Sequence, residues 1–199
     1  VKDSSGDYCN TASIRSHIDG TPSNDSAPGR LEFHTTTSGT SPSVKMTIDS
    51  AGRVTKPNTP FVMVHIQTTS NRQTTGSYLV VPWDIIHVRG TSSNMGSHFN
   101  TSNHRFTAPV AGRYFFCMSL NIVGDNIVKH RINGADVSQA EYRSQDDNQW
   151  DHADASFIYD MNANDYYDVV SSLTGSGQRW NGGSNGTTGW DTLSIYLLG

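Results

Sequence analysis

Phe106-Thr107-Ala108-Pro109-Val110-Ala111-Gly112-Arg113-Tyr114-Phe115-Phe116 is the stretch on which the reading of this 199-residue chain turns. From Gly112 onward large side chains follow one another at strand spacing. Tyr114, Phe116, Met118 and Leu120 share one face of a strand, and Phe115, Cys117 and Ser119 take the other. Both faces are substantially apolar. Such a strand needs a partner sheet against one side and a further covering against the other. Cys117 on that second face reads as a small hydrophobe once that covering is in place, not as a nucleophile.

The segments around this stretch repeat its character. Phe61 to Ile66, Tyr78 to Val81, Ile85 to Val88, Arg113 to Ile122, Ile127 to Ile132, Ala155 to Met161, Tyr166 to Leu173 and Leu193 to Leu198 are apolar or alternating, with Gly, Asn, Asp and Ser between them. Asn133-Gly134 is the strongest hairpin signal in the chain. No segment keeps a 3.6-residue apolar period for three turns. An all-β fold follows, an antiparallel sandwich or jelly roll.

Upstream the character changes. Two prolines in Lys56-Pro57-Asn58-Thr59-Pro60 rule out a continued helix or central strand, so a boundary is placed there. Residues 1–60 carry six basic and six acidic side chains and few large apolar ones. Their apolar positions come in short alternating sets, Leu31 and Phe33, then Val44, Met46 and Ile48, then Val54 after the turn Asp49-Ser50-Ala51-Gly52. These read as small hairpins with one apolar face each. Isolated hairpins are marginal in water, so the segment is expected to gain burial from identical chains; a flexible linker is the alternative.

Composition supports this division and excludes several classes of function. The chain holds 25 Ser, 20 Thr, 15 Asn and 18 Gly, a mixture that disfavours helices and favours short strands joined by turns. With 34% hydrophobic residues and a net charge of only -4 it lacks the high charge of a disordered chain. No run of about 18 apolar residues is present, so no membrane insertion is expected. Fourteen Lys plus Arg face 18 Asp plus Glu without a basic cluster, which argues against nucleic acid. Cys9 and Cys117 give neither a disulfide framework nor a metal spacing. The chain begins at Val1 rather than Met and is read as a piece of something longer.

The spacing Asn94, Phe99, Phe106, Gly112-x-Tyr114-x-Phe116 resembles the signature of the complement C1q-like globular head, a jelly roll related to the tumour-necrosis-factor fold. Val88 and Met118 depart from the family's aromatic residues but stay apolar. The resemblance continues through Ile132-Asn133-Gly134, the acidic turn at Asn164-Asp165 and the closing strand Leu193-Ser194-Ile195-Tyr196-Leu197-Leu198, covering residues 61–199. It implies a tight homotrimer, with Phe99, Phe106, Gly112, Tyr114 and Phe116 as core and trimer signature. The second apolar face of the Tyr114 strand would then lie against a neighbouring subunit. In residues 1–60, Pro28-Gly29-Arg30-Leu31-Glu32-Phe33-His34-Thr35-Thr36 and Val44-Lys45-Met46-Thr47-Ile48-Asp49-Ser50-Ala51-Gly52-Arg53-Val54 are similar to stretches of bacteriophage tail fibres. Those segments form intertwined trimeric β shafts.

No enzyme constellation stands out. The chain has no G-x-S-x-G elbow, H-E-x-x-H helix or phosphate-binding glycine loop. Glu141 to Asp168 concentrates eight carboxylates against one basic residue, Arg143. A solvated acidic loop is the preferred reading. Calcium held by Asp146, Asp147, Asp151 and Asp154 is the alternative, and no other cofactor is expected. Trp150, Asp151 and His152 in that stretch, with Arg179 and Trp180 in a Gly/Ser/Asn-rich one, are candidate anchors for a glycan or protein receptor. Trp180 folding back onto its own trimer is the competing reading. Together these features point to a virion fibre tip outside the cell. In it a shaft segment of residues 1–60, continuous with upstream fibre or virion proteins, carries a trimeric head of residues 61–199 that attaches to a host surface without catalysis. A secreted complement-like recognition head of a cellular organism is the runner-up. A glycan-cleaving tailspike is the third reading.

Overall fold

The computed structural model describes residues 1–37, 41–66, 71–72, 76–86, 98–124, 126–142, 150–173, 179–181 and 191–199. The chain divides into two compact units, Val1–Thr59 and Pro60–Gly199. No helix among the described residues is long and apolar enough to cross a membrane.

The first unit is one antiparallel four-stranded sheet, β1 (Ala12–Ile18), β2 (Gly29–Thr35), β3 (Ser43–Ile48) and β4 (Val54–Thr55), paired in chain order. Asp49 builds the turn into β4: its carboxylate accepts the backbone N–H groups of Ala51 and Arg53 and the Arg53 guanidinium at 2.6 Å. Alternation puts Ile14, Leu31, Phe33, Met46 and Ile48 on one face and His17, Arg30, Glu32 and His34 on the other. Burial runs against the hydropathy of the two faces. Glu32 and His34 are buried, whereas Leu31 and Phe33 are half-buried and Ile14, Ile18 and Val54 are exposed.

The second unit is a sandwich of two sheets. Its strands are β5 (Phe61–His65), β6 (Asn71–Arg72), β7 (Gly76–Val80), β8 (Ile85–Ile86), β9 (Phe99–Asn100), β10 (Arg105–Thr107), β11 (Gly112–Val123), β12 (Asn126–Ile132), β13 (Ala135–Tyr142), β14 (Trp150–Met161), β15 (Tyr166–Leu173), β16 (Arg179–Asn181) and β17 (Thr192–Leu197). One sheet runs β6-β16-β11-β17-β5-β8 with β14 on the other edge of β11. The second runs β13-β12-β15-β10-β9, with β7 beside β15. All pairings are antiparallel.

Core side chains come from the facing sides of both sheets. Tyr114, Phe116, Met118 and Leu120 of β11 are buried with Val62, Val64, Leu193 and Ile195 of their own sheet and with Phe106, Val128, Ile132, Tyr167 and Val169 of the other. Phe116 stacks on Phe157 at 4.9 Å between ring centroids and meets Tyr167 across the sandwich at 4.6 Å. Phe106 meets Tyr114 edge-on at 5.6 Å, and the Tyr114 hydroxyl donates to the Val110 carbonyl at 2.8 Å. The signature residues Phe99, Phe106, Tyr114 and Phe116 are thus core, as is Met118. Gly112 leaves room for Leu197, whose Cδ1 would lie 2.7 Å from a Cβ added there. Val88 and Asn94 lie outside the described residues.

Asn133 and Gly134 both take positive φ, 51° and 81°, and close the β12–β13 hairpin. The turn is tied down from the side. Asn133 donates its amide to Asp165 at 2.8 Å and accepts the Tyr166 N–H at 3.0 Å.

Two expectations are corrected here. The acidic stretch from Trp150 is strand, not loop: β14 starts there because its residues pair with the far end of β11, from Val123 back. Its other edge carries no ladder among the described residues, so Asp and His side chains can face water there. Arg179 and Trp180 likewise form a short strand against Ile122 and Val123.

Candidate functional site

The outward face of the β14-β11-β17-β5 sheet follows directly from the register. Ile158, Phe115, Tyr196 and Phe61 lie side by side across four strands. The next row is Ser156, Cys117, Ser194 and Met63; then come Asp154, Ser119 and Thr192. The face therefore grades from aromatic and aliphatic at one end, through small residues, to carboxylate and hydroxyl at the other. Ile158 is 55% exposed and Tyr196 43%, while their row-mates Phe115 and Phe61 are half-buried. The inward face of the same strands already holds the core. Cys117 is exposed in the single chain, because β11 has its partner sheet on one side only; its expected burial is against a neighbouring subunit.

The polar end of this sheet gathers residues far apart in sequence. Trp150 stands opposite Val123 on one side of β11, and Arg179 stands opposite it on the other. Asp151 and Trp180 flank Ile122 in the same way, and Arg72 follows beyond Trp180. The two candidate receptor stretches thus meet at one end of one strand. His152 and Asp151 are exposed there. Trp180 is only 2% exposed, because its row-mate Ile122 lies on the core side and carries the indole inward with it. Trp180 is therefore a core residue of its own chain rather than a free anchor.

Of the four candidate calcium ligands, the two among the described residues do not converge. Asp151 and Asp154 stand three residues apart on β14, so their carboxylates leave opposite faces of the strand. Asp146 and Asp147 lie outside the described residues. Among the described residues, the His, Cys, Asp and Glu side chains whose ligand atoms converge are His17, Glu32 and His34 of the first unit. Their separate positions in the sequence, one on β1 and two on β2, hid that group; alternation on paired strands was the signal available.

Behind the site, buried charge is held by named partners. Asp168 is buried and accepts Arg131 Nε at 2.7 Å and Arg105 Nε at 3.0 Å. The Arg105 guanidinium lies over the Tyr166 ring at 4.2 Å. Asp191 is buried and accepts the Asn121 N–H, and burial pushes its carboxyl up to about 8. His130 sits among Phe157 and Tyr167, shares a 2.7 Å hydrogen bond with the Tyr167 hydroxyl, and is pushed down to about 4 by burial.

The aromatic-cored sandwich of two antiparallel sheets is a jelly roll of the tumour-necrosis-factor-like class. Residues 61–175 match the C1q domain, more than half of the chain, and the chain belongs to that family. C1q domains are recognition domains, generally without catalytic activity and typically extracellular. The globular domain of the zebrafish complement 1qA protein is similar in fold, with a TM-score of 0.51 at 12% identity over 71% of this chain and 98% of that one. None of the curated proteins compared matches the sequence.

Proposed function

We propose that this chain is the tip of a virion fibre, a homotrimer whose C1q-type heads attach to a cell-surface glycan or protein without catalysis. The observation that carries the trimeric reading is the outward row Ile158, Phe115, Tyr196 and Phe61, apolar side chains on a sheet whose other face is already filled. A sister chain removes that row from water. The first unit has the same need, with Ile14, Ile18 and Val54 exposed on its apolar face. A β shaft of three such sheets meets it, and the likeness of residues 28–36 and 44–54 to tail-fibre stretches supports that placement.

Receptor contact falls to the polar end, where Asp151 and His152 are exposed beside the backbone positions of Trp150 and Arg179. Three copies give avidity, so each contact can be weak. The similarity to a zebrafish complement head favours a second reading, a secreted complement-like head of a cellular organism. Labelled full-length protein applied to a panel of intact bacteria and their purified surface polysaccharides separates these readings. The virion reading predicts saturable binding to a subset of strains, at least about tenfold weaker in Asp151→Ala/His152→Ala, with polysaccharide length unchanged. Binding to none of the bacteria would overturn it in favour of the secreted head, and shortened polysaccharide would make the protein a tailspike hydrolase.

A further inference from the structure

We propose that His17, Glu32 and His34 form a binding site for a divalent transition-metal ion of the zinc type on the polar face of the first unit. The placement follows from the register. His17 pairs with Arg30 and Arg15 with Glu32, so His17, Glu32 and His34 share one face, with His17 diagonal to Glu32 and His34 two residues beyond it. Glu32 Oε2 lies 2.9 Å from His34 Nε2 and 3.3 Å from His17 Nε2, and the three ligand atoms all fall within 4.8 Å of one another. Metal–nitrogen and metal–oxygen bonds of about 2.0–2.2 Å at tetrahedral angles put ligand atoms roughly 3.4 Å apart. Small side-chain rotations therefore convert this cluster into a three-ligand site with a fourth position open.

The surroundings prepare the carboxylate for that use. Arg30 Nε donates to Glu32 Oε1 at 2.7 Å, which fixes the carboxylate and leaves Oε2 to the imidazoles. Arg15, directly opposite Glu32, turns instead to Ser13 Oγ at 3.2 Å. Glu32 and His34 are 8% and 7% exposed, and the His17 side chain at 41% leaves a way in from solvent. Two imidazoles and one carboxylate suit zinc and its neighbours, whereas calcium and magnesium take oxygen ligands.

The alternative is a plain hydrogen-bonded trio with both imidazoles donating to Oε2. Full-length protein stripped with a chelator and titrated with zinc chloride by calorimetry, and with cobalt chloride by visible absorption, decides between them. The site predicts one ion per chain and cobalt d–d absorption that zinc displaces. His17→Ala removes an exposed ligand and should leave the thermal melt of the metal-free protein in place; zinc affinity should fall at least about 100-fold, beyond the ~10–100-fold that outer-shell partners carry. His34→Ala should abolish the cobalt spectrum. No heat with zinc and no cobalt absorption would overturn the proposal, as would binding that His17→Ala and His34→Ala leave unchanged.

Discussion

Asp191 and His130 are buried in the head and pull its stability in opposite directions with pH. Burial raises the Asp191 carboxyl from 3.8 to about 8, so between those values the folded chain keeps a proton that the unfolded chain releases. Stability falls as pH rises through that window. Burial lowers His130 from 6.5 to about 4, so between those values the unfolded chain takes up a proton that the folded chain refuses, and stability falls as pH drops. The two slopes oppose one another below pH 6.5 and only the Asp191 slope remains above it. Urea midpoints measured across pH should therefore decline from 6.5 to 8 in the native protein. In Asp191→Asn they should be flat there and decline instead on acidification below 6.5; parallel curves for the two proteins would refute this. Asp168 makes a second case. Asp168→Asn removes the negative charge between Arg105 and Arg131 and should cost about 3 kcal/mol, the low end for a broken buried pair because both guanidiniums reach solvent. For a domain of this size that is a drop in Tm of roughly 10 °C, checked by calorimetry.

At the scale of elements, what the sequence made legible was decided by side-chain alternation. β11, β12, β15 and β17 carry alternating or continuous large apolar residues and their two-residue period reads directly. The Asn133-Gly134 turn reads equally well, because both residues adopt the positive φ that a two-residue hairpin requires. Gly134→Ala places a Cβ at φ 81° and 3.3 Å from the Tyr166 hydroxyl; it should destabilise the head by about 1–2 kcal/mol, seen as a lower urea midpoint. Trp150 to Asp154 at the start of β14, and all of β16, did not read as strand. Their composition, Asp and His in one and a lone Trp among Gly, Ser and Asn in the other, is that of loops, and only the length of β11 gives both a partner to pair with. For the same reason the joining of Trp150 and Arg179 across Val123 was invisible in either stretch alone. Trp180 illustrates a further limit, since polarity of the neighbours in sequence does not show which way a short strand turns its side chain.

For the whole molecule, the low hydrophobic fraction reflects how the apolar surface is shared out. The head fills one sandwich core with aromatic residues, yet Ile158 and Tyr196 stay exposed on its outer face and Ile14, Ile18 and Val54 on the sheet of the first unit. In the trimer proposed above, association of identical chains through the head row takes that surface out of water and gives the recognition surface three copies. A charge set into that row should act on assembly before it acts on folding: Ile158→Glu should leave the head's far-ultraviolet spectrum unchanged while shifting the protein towards monomer. The most direct test is the mass of the native chain in solution by size-exclusion chromatography with light scattering. The account predicts a trimer, three times the 21.8 kDa of one chain; a stable monomer at micromolar concentration would contradict it.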